Sequence, residues 1–432
     1  MNFAIFYLFF LECYMKRFIA LVFVLLIVGV GVMFLKEHKT EENIQVDKNI
    51  SQQEKETTES QDKQANQENE KIYAVWLSYS EIGSLVKGKT EAEYNEGIEN
   101  ILSVLKENKI NTVFYQCRAF CDSFYKSNIF PVSKYINAQN KSLNYDPFEI
   151  FLEKAKLYGI AVHCWVNPYR ISYDSKIENL SENSPAKKLY KENKSSLIIC
   201  EKGIFLNPAH PESRRLVLDG IREILNKYKV CGIHFDDYFY PEVKEIDDKK
   251  SYKEYKNKGG ELSMEDWRSE NVNALISSVY SLVKSTDDNL LFSVSPSADI
   301  EKCRNIFYCD VEKWCREEGF ADFLIPQIYY GFENESMPFS DVMREWENIA
   351  RESKVQLVCG LGAYKCGKAD EFAGKGKNEW KENVNILSRQ YEQLLKSQVW
   401  QGFSLFSYSF CFGDNVTQIS KKEIKKLLDM VK

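Results

Sequence analysis

From Lys71 to the C-terminus, short apolar stretches rich in β-branched and aromatic residues alternate with longer stretches whose apolar positions recur every three or four residues. The first pattern predicts buried strands and the second predicts amphipathic helices. In the helix predicted over Glu91–Asn108, for example, Ile98, Ile101 and Leu105 share one face. The predicted strands, in chain order, are Ile72–Tyr79, Thr112–Arg118, Ala161–Tyr169, Gly232–Phe239, Leu290–Ser295, Phe323–Tyr329, Gln356–Leu361 and Gly402–Tyr408.

A helix is predicted after each of the eight strands. Eight strand–helix pairs favour an α/β fold, a closed (β/α)8 TIM barrel over residues 71–432, rather than an open doubly wound sheet. No GxGxxG follows the first strand, so a dinucleotide-binding fold is not indicated. The predicted helices are Glu91–Asn108, Pro147–Tyr158, Pro211–Tyr228, Met264–Ser285, Val311–Glu318, Phe339–Glu352, Glu379–Lys396 and Lys421–Val431.

The N-terminal region has a different character. Lys16 and Arg17 precede an uninterrupted apolar run, Phe18–Leu35, which is just long enough to span a bilayer. Because no small-residue cleavage site follows this run, we predict a membrane anchor over residues 1–36, with a cleaved signal peptide as the alternative. Residues 37–70 are almost wholly polar and predict a disordered linker. The barrel is then expected outside the cytoplasm, tethered to the cell membrane by a single pass.

The net charge of the chain bears on its partners, and its cysteines bear on disulfide bonding. A net charge of −6 argues against a nucleic-acid partner. Several of the twelve cysteines, Cys117 and Cys164 among them, lie inside apolar strand patterns, where cysteine packs as a small hydrophobic residue. A disulfide such as Cys117–Cys121, or one that involves Cys303 or Cys309, stays open as an alternative.

The fourth strand and the residues after it form the strongest chemical signal, the run Gly232–Pro241 (GIHFDDYFYP). Alternation puts His234 and Asp236 on one face of the strand, and Asp237 on the other unless the strand ends there. Residues that follow the strands of a parallel barrel converge on one mouth. Those predicted to bind substrate there are Arg118, Asp122, His163, Asn167, Tyr169, Arg170, Asn207, His234, Tyr238, Tyr240, Gln327, Tyr329, Tyr330, Tyr364 and Tyr408.

Two adjacent acids among tyrosines indicate sugar chemistry. Hydrolysis of a glycosidic bond generally uses one carboxyl group as the acid and another as the nucleophile or base. We predict that Asp236 is the inward carboxylate and that Asp237 is the second catalytic acid. Asp122, Asp299 and Glu333 are further loop candidates, so the identity of the second acid stays open.

No cofactor is predicted. None of the histidines has a metal-binding spacing such as HxH or HExxH. A mononuclear metal site built from His163, His234 and Asp236 is the weaker alternative.

In the run Gly232–Pro241 and several other segments, the chain resembles the bacterial glycosyl-hydrolase-like family 10 proteins, a group distinct from the family 10 xylanases. The resemblance covers about residue 72 to the C-terminus, and it implies a TIM-type barrel, export or surface anchoring, and hydrolysis of a glycan such as that of the bacterial cell wall. The fifth strand lacks the Glu acid of amylase-type barrels, and residues 119–121 replace the family's usual Pro and Gly. The matching segments are residues 115–118 with 122–125, 165–170, 206–208, 232–241 and 326–330.

The sequence therefore predicts a membrane-anchored, extracytoplasmic glycoside hydrolase that acts on an extracellular polysaccharide, such as the glycan strands of peptidoglycan. Two alternatives remain: a non-catalytic surface barrel that binds glycan, and a metal-dependent hydrolase such as a deacetylase.

Overall fold

The computed structural model describes residues 71–137, 143–237, 239–414 and 416–431. Within them, eight parallel strands close into a barrel, since the first strand pairs with both the second and the last. The predicted α/β barrel is thus confirmed for this part of the chain. Around the barrel the strands are β1 (Ile72–Leu77), β2 (Thr112–Arg118), β3 (Ala161–Val166), β7 (Gly232–Phe235), β8 (Leu291–Val294), β9 (Phe323–Leu324), β10 (Gln356–Leu361) and β11 (Trp400–Leu405).

Helices cover the outside of the barrel, and capping groups fix several of their starts. The Thr90 side chain accepts from the Glu93 N–H, and the Asp146 carboxylate accepts from two N–H groups at the next helix start. The helices are α1 (Tyr79–Val86), α2 (Glu91–Glu107), α3 (Pro147–Tyr158), α4 (Pro185–Glu192), α5 (Pro211–Lys227), α6 (Lys249–Asn257), α7 (Met264–Thr286), α8 (Val311–Arg316), α9 (Phe339–Ala350), α10 (Glu379–Glu382), α11 (Ile386–Leu394), α12 (Tyr408–Phe412) and α13 (Gln418–Leu428).

The predicted anchor and linker lie outside the described residues. Among those that are described, no helix combines the length and the apolar character that a bilayer crossing requires.

Several predicted strands end earlier than the sequence pattern indicated. The chain leaves β3 before Asn167 and Pro168, and it leaves β7 before Asp236, so these polar positions belong to loops rather than to the sheet. The helix predicted over Glu379–Lys396 is interrupted between α10 and α11. The new helix begins at Ile386, where the Glu423 carboxylate accepts its first N–H groups.

A second small sheet was missed. The stretch between β3 and α5, in which no strand was predicted, contains the antiparallel strands β4 (Arg170–Ser172), β5 (Leu197–Cys200) and β6 (Gly203–Leu206). These strands are only three or four residues long, so alternation of apolar and polar residues could not reveal them. The sheet positions the chain that follows β3 at the mouth of the barrel.

The disulfide of the structure joins Cys117 on β2 to Cys164 on β3. The predicted burial of these two residues in the hydrophobic core is confirmed, but they are bonded to each other rather than packed as separate side chains. Neighbouring strands bring their Cα atoms to 5.9 Å, within the range that a disulfide requires, although 47 residues separate them in sequence. Cys121, Cys303 and Cys309, which the alternatives involved, are free thiols.

Gly232 on β7 is required by the packing inside the barrel. A Cβ at this position would lie 2.7 Å from Nδ1 of His163 and would also collide with the carbonyl oxygen of Leu291. We expect Gly232→Ala to lower the free energy of unfolding by about 1–3 kcal/mol, the usual cost of overpacking. Urea denaturation measures this loss of stability.

Gly97→Ala is the control. Gly97 lies inside α2, and a Cβ there would make an ordinary contact of 3.6 Å, so this variant should be more stable than the unmodified chain. Equal stability of Gly232→Ala and the unmodified chain would contradict this account.

Candidate active site

The two adjacent aspartates lie just past the end of β7 and make different contacts. Asp236 is almost completely buried, and its Oδ2 accepts a hydrogen bond of 3.2 Å from Nε1 of Trp165. Asp237 is partly buried and is hydrogen-bonded to Gln327, which follows β9. The end of the strand thus frees Asp237 from strict alternation and places both carboxyl groups at the mouth.

The surroundings of Asp237 change the pKa of its carboxyl group. Burial raises the pKa of this carboxyl, while the hydrogen bond from Gln327 and the charges of Arg170 and Lys302 oppose the rise. A carboxyl group with a raised pKa retains a proton that it can transfer to a leaving group. In this geometry Asp237 is suited to the role of general acid.

His234 forms part of the floor beneath these acids. Its Nε2 lies 3.0 Å from Nε1 of Trp76, and its Nδ1 lies 2.8 Å from Oγ of Ser293. An indole N–H can only donate, so Nε2 is the acceptor, and we assign the imidazole as neutral with its proton on Nδ1. Burial lowers the pKa of His234 well below its ordinary value, and His163 lowers it further. His234 therefore acts as a fixed, uncharged support.

His163 lies in the same interior, edge-on to Phe114 with their ring centroids 5.4 Å apart. Burial lowers the pKa of His163 to about 4. In the described ranges of the chain, no three His, Cys, Asp or Glu side chains converge as a metal ion would require.

The indole of Trp165 orients Asp236. Replacing it with Phe removes the donor and keeps most of the ring, and a hydrogen bond to a charged group contributes about 1.5–3 kcal/mol. We expect Trp165→Phe to lower kcat on a cleavable glycan about tenfold or more, with little change in KM. Steady-state kinetics measures both constants. Trp400→Phe is the matched control, because the Trp400 indole donates to Glu347 at the opposite end of the barrel. An equal loss of kcat in both variants would point to a general effect on folding.

Several other predicted site residues also lie at the mouth. Nε2 of Gln116 donates to Oδ1 of Asn167 over 2.8 Å, and Nδ2 of Asn167 is buried without a hydrogen-bond partner in the structure. Tyr329 and Tyr364, which follow β9 and β10, meet edge to face with their centroids 5.7 Å apart. Like Gln327, these residues follow strands of the barrel or lie at the ends of them, on the side where the chain leaves β7 for the acids.

The remaining predicted substrate-binding residues are placed differently. The guanidinium of Arg118 lies outside the barrel wall, 4.2 Å from the Phe130 ring centroid and against Gly220 of α5. Tyr169 and Tyr240 are buried in the outer hydrophobic core.

Asn207 and Asp122 are held within loops. The Asn207 amide donates to the Ser195 carbonyl and Ser251 hydroxyl, and it accepts from the Ala209 N–H. Burial raises the pKa of Asp122 to about 6, against the hydrogen bond from Ser133.

Tyr330, Tyr408 and Tyr238 complete the predicted set. The Tyr330 ring lies beneath Lys365, and its carbonyl accepts from Gln390. Tyr408 begins α12 and packs on Phe412. Tyr238 lies outside the described residues.

The other candidates for a second acid have visible structural roles. Asp299 accepts from the Lys302 N–H at a helix start. Glu333 is exposed, and its N–H donates to Glu379. Asp237, which is adjacent to Asp236 and follows the same strand, stays the prediction for the second acid.

An aromatic cluster beside the acids was missed by the sequence analysis. Tyr79, Phe120, Tyr135 and Tyr173 pack together, and the Arg170 guanidinium lies over two of these rings. Tyr79 and Phe120 closely follow the ends of the predicted strands β1 and β2, which was a usable signal. Tyr135, far along the loop after β2, and Tyr173, which follows the unpredicted strand β4, carried none.

Comparisons with known proteins show what the chain is similar to. The model of the family described as "Glycosyl hydrolase-like 10" matches residues 71–378, which confirms the family that the motifs predicted, although the match ends before the C-terminus. "Glycosyl hydrolase YngK" of Bacillus subtilis (strain 168) is 28% identical over 326 residues, which cover 71% of this chain and 62% of the relative. "Glycosyl hydrolase DigH" of Escherichia coli (strain K12) is 28% identical over 295 residues, which cover 63% of this chain and 66% of the relative. The chain thus spans less than two thirds of the length of these relatives.

Among solved structures, the PgaB (BpsB) glycoside hydrolase domain from Bordetella bronchiseptica has a TM-score of 0.58 to this chain. The two are 15% identical, and the match covers 83% of this chain and 98% of that domain. An α-L-fucosidase isoenzyme from Paenibacillus thiaminolyticus has a TM-score of 0.51 at 13% identity, with 83% of this chain and 49% of that one covered. These likenesses show the barrel fold.

Proposed function

The chain belongs to the glycosyl hydrolase-like 10 family, and from this premise we propose that it hydrolyses O-glycosidic bonds of an extracellular polysaccharide, with the glycan strands of bacterial peptidoglycan as the substrate. The observation that carries the proposal is the acid pair after β7. The Trp165 indole donates a hydrogen bond to the carboxyl group of Asp236, and burial raises the pKa of Asp237. Glycoside hydrolysis needs one carboxyl group as the acid and another as the nucleophile or base, and we assign the first role to Asp237 and the second to Asp236.

The roles follow from these contacts. Asp237 gives its proton to the glycosidic oxygen, so that the C–O bond breaks and the leaving sugar departs as an alcohol. Asp236, as an ionised carboxylate, acts in one of two ways. It attacks the anomeric carbon to form a glycosyl ester, which water then hydrolyses after losing a proton to Asp237, or it removes a proton from the water that attacks the anomeric carbon directly. Gln327 and Trp165 hold the two acids in position by hydrogen bonds. Neutral His234 accepts a hydrogen bond from the Trp76 indole beneath the acids.

We also propose that the barrel works outside the cytoplasm, tethered to the membrane by its N-terminal segment. The Cys117–Cys164 disulfide supports this location, because such bonds persist in oxidising compartments and are rare in the cytosol. The apolar run at residues 18–35 supplies a means of export or attachment.

The test is incubation of the purified full chain with peptidoglycan, chitin and cellulose, followed by mass spectrometry of the soluble products. Fragments with new reducing ends are expected from peptidoglycan, and none from the Asp236→Asn/Asp237→Asn double variant. A chelator should leave the release unchanged.

Two outcomes would reject this proposal. Binding to peptidoglycan without any released fragment would favour the non-catalytic glycan-binding barrel. Loss of acetyl groups without chain cleavage, abolished by a chelator and restored by a divalent cation, would favour the metal-dependent deacetylase.

A further inference from the structure

We propose that Tyr79, Phe120, Tyr135 and Tyr173 form a sugar-stacking subsite next to the acid pair, which we call the aromatic platform. The inference rests on the proposed function, and it specifies where a pyranose ring of the polysaccharide binds beside the bond that is cleaved.

The four rings form one connected surface at the mouth. The Tyr79 centroid lies 5.4 Å from that of Phe120 and 4.7 Å from that of Tyr135. Phe120 lies 5.6 Å from Tyr135, nearly parallel to it, and 5.4 Å from Tyr173. The rings come from the chain after β1, β2 and β4, and therefore from three loops on the active-site side of the barrel.

The platform is ordered but open. Phe120 is buried and forms its base, Tyr79 and Tyr135 are partly exposed, and 55% of Tyr173 is exposed. Tyr79 is hydrogen-bonded to both Tyr135 and Tyr173. The Arg170 guanidinium carbon lies 4.6 Å from the Tyr173 centroid, so it supports one side of that ring. Rings that are fixed before binding lose little conformational entropy when a ligand stacks on them.

Electrostatic contacts tie the platform to the acids. Arg170, which lies over the Phe120 and Tyr173 rings, also lowers the pKa of Asp237 against the effect of burial. Burial raises the pKa of Tyr173, and the charge of Asp236 adds to that rise. The rings and both carboxyl groups follow the ends of barrel strands, so the platform lies on the same side of the barrel as the acids.

The chemistry of the platform fits a saccharide. A pyranose ring offers an apolar C–H face to an aromatic ring and hydroxyl groups at its edge, where phenol oxygens accept or donate hydrogen bonds. A purely structural cluster would be expected to bury Tyr173, whereas more than half of this side chain is exposed.

The experiment measures binding without cleavage. The full chain carrying Asp237→Asn is the parent, and isothermal titration calorimetry is run with chitohexaose and with solubilised peptidoglycan glycan strands as the probes. We expect Tyr173→Ala to weaken binding about tenfold, as truncation of an aromatic anchor typically does. Tyr173→Phe, which keeps the ring, should stay within about threefold of the parent. Tyr280→Ala, on the outer face of α7, is the matched control and should bind like the parent.

The outcomes separate the platform from the hydrolase. If the parent binds either probe and Tyr173→Ala binds as tightly, the platform is wrong, while cleavage by the unmodified chain leaves the hydrolase standing. If the unmodified chain releases no fragments but binding still depends on Tyr173, the platform holds and the hydrolase fails. If the parent binds neither probe, the platform is overturned.

Discussion

Asp237→Asn is expected to reduce kcat on the glycan by about 10²–10⁴-fold, the range that positioned proton transfer contributes. Asparagine keeps the shape of the side chain and its contact with Gln327, but it has no proton to give to the glycosidic oxygen. Steady-state release of reducing ends measures the loss. Asp219→Asn, on the exposed side of α5, is the matched control and should retain full activity.

The pH profile distinguishes a general acid from a merely structural aspartate. Since burial raises the pKa of Asp237, the protein should lose activity as pH rises through that value, because the acid is then ionised. If asparagine replaces it, this alkaline limb should disappear from the residual activity. An alkaline limb that persists unchanged in Asp237→Asn would assign it to another group.

The raised pKa of Asp237 also predicts that Asp237→Asn, although it lowers activity, stabilises the fold at neutral pH. The folded state holds the proton of Asp237 more tightly than the unfolded state, so ionisation above the ordinary value of 3.8 destabilises the fold. Asp237→Asn should therefore raise Tm at neutral pH, and the gain should vanish below about pH 4. A variant that is inactive and also less stable at neutral pH would instead indicate a structural role.

Arg268→Met is expected to cost about 3–5 kcal/mol of the free energy of unfolding, because it leaves a buried carboxylate without its partner. Nε and Nη2 of Arg268, on α7, donate to both oxygens of Asp248 over 2.7 and 2.6 Å. Nη1 donates to the Tyr308 hydroxyl over 2.7 Å. Asp248 belongs to the loop that begins with the acid pair, so this ion pair holds that loop on the outer layer.

Chemical denaturation measures the loss, and two further variants define its cause. Arg222→Met removes the ion pair with Asp219, in which both side chains are about half exposed, and should cost less than about 1 kcal/mol. Arg268→Met/Asp248→Asn should recover part of the stability, since it removes the unpaired charge. If Arg268→Met and Arg222→Met lowered the free energy of unfolding equally, the buried ion pair would not stabilise the fold more than the exposed one, and this account would be wrong.

The sequence pattern was sufficient to predict those helices and strands whose bounds depend on neighbouring residues alone. The bounds predicted for β2, β10 and α3 are those observed, because each has a buried or capped pattern that neighbouring residues complete. The order of eight strand–helix pairs was enough to predict the closed barrel. The run around Asp236 and Asp237 predicted the location of the acids at the mouth, because residues that follow a barrel strand lie at that end.

Contacts between distant segments could not be predicted in this way. The pairing of Cys117 with Cys164 depends on the register of β2 against β3, and the contact of Asp237 with Gln327 depends on how closely β7 and β9 converge. Arg118 also follows the alternation rule poorly, since the register shifts between Gln116 and Arg118 and the guanidinium lies outside the barrel.

The sequence by itself determined the class of fold and the family, because hydrophobic spacing and a contiguous motif are properties of neighbours along the chain; it also predicted the acid pair. Only the tertiary structure decided that burial raises the pKa of Asp237 and that four aromatic rings from separate loops pack together. Burial, electrostatic fields and ring contacts depend on distances in space, and those distances are fixed by the closure of the barrel.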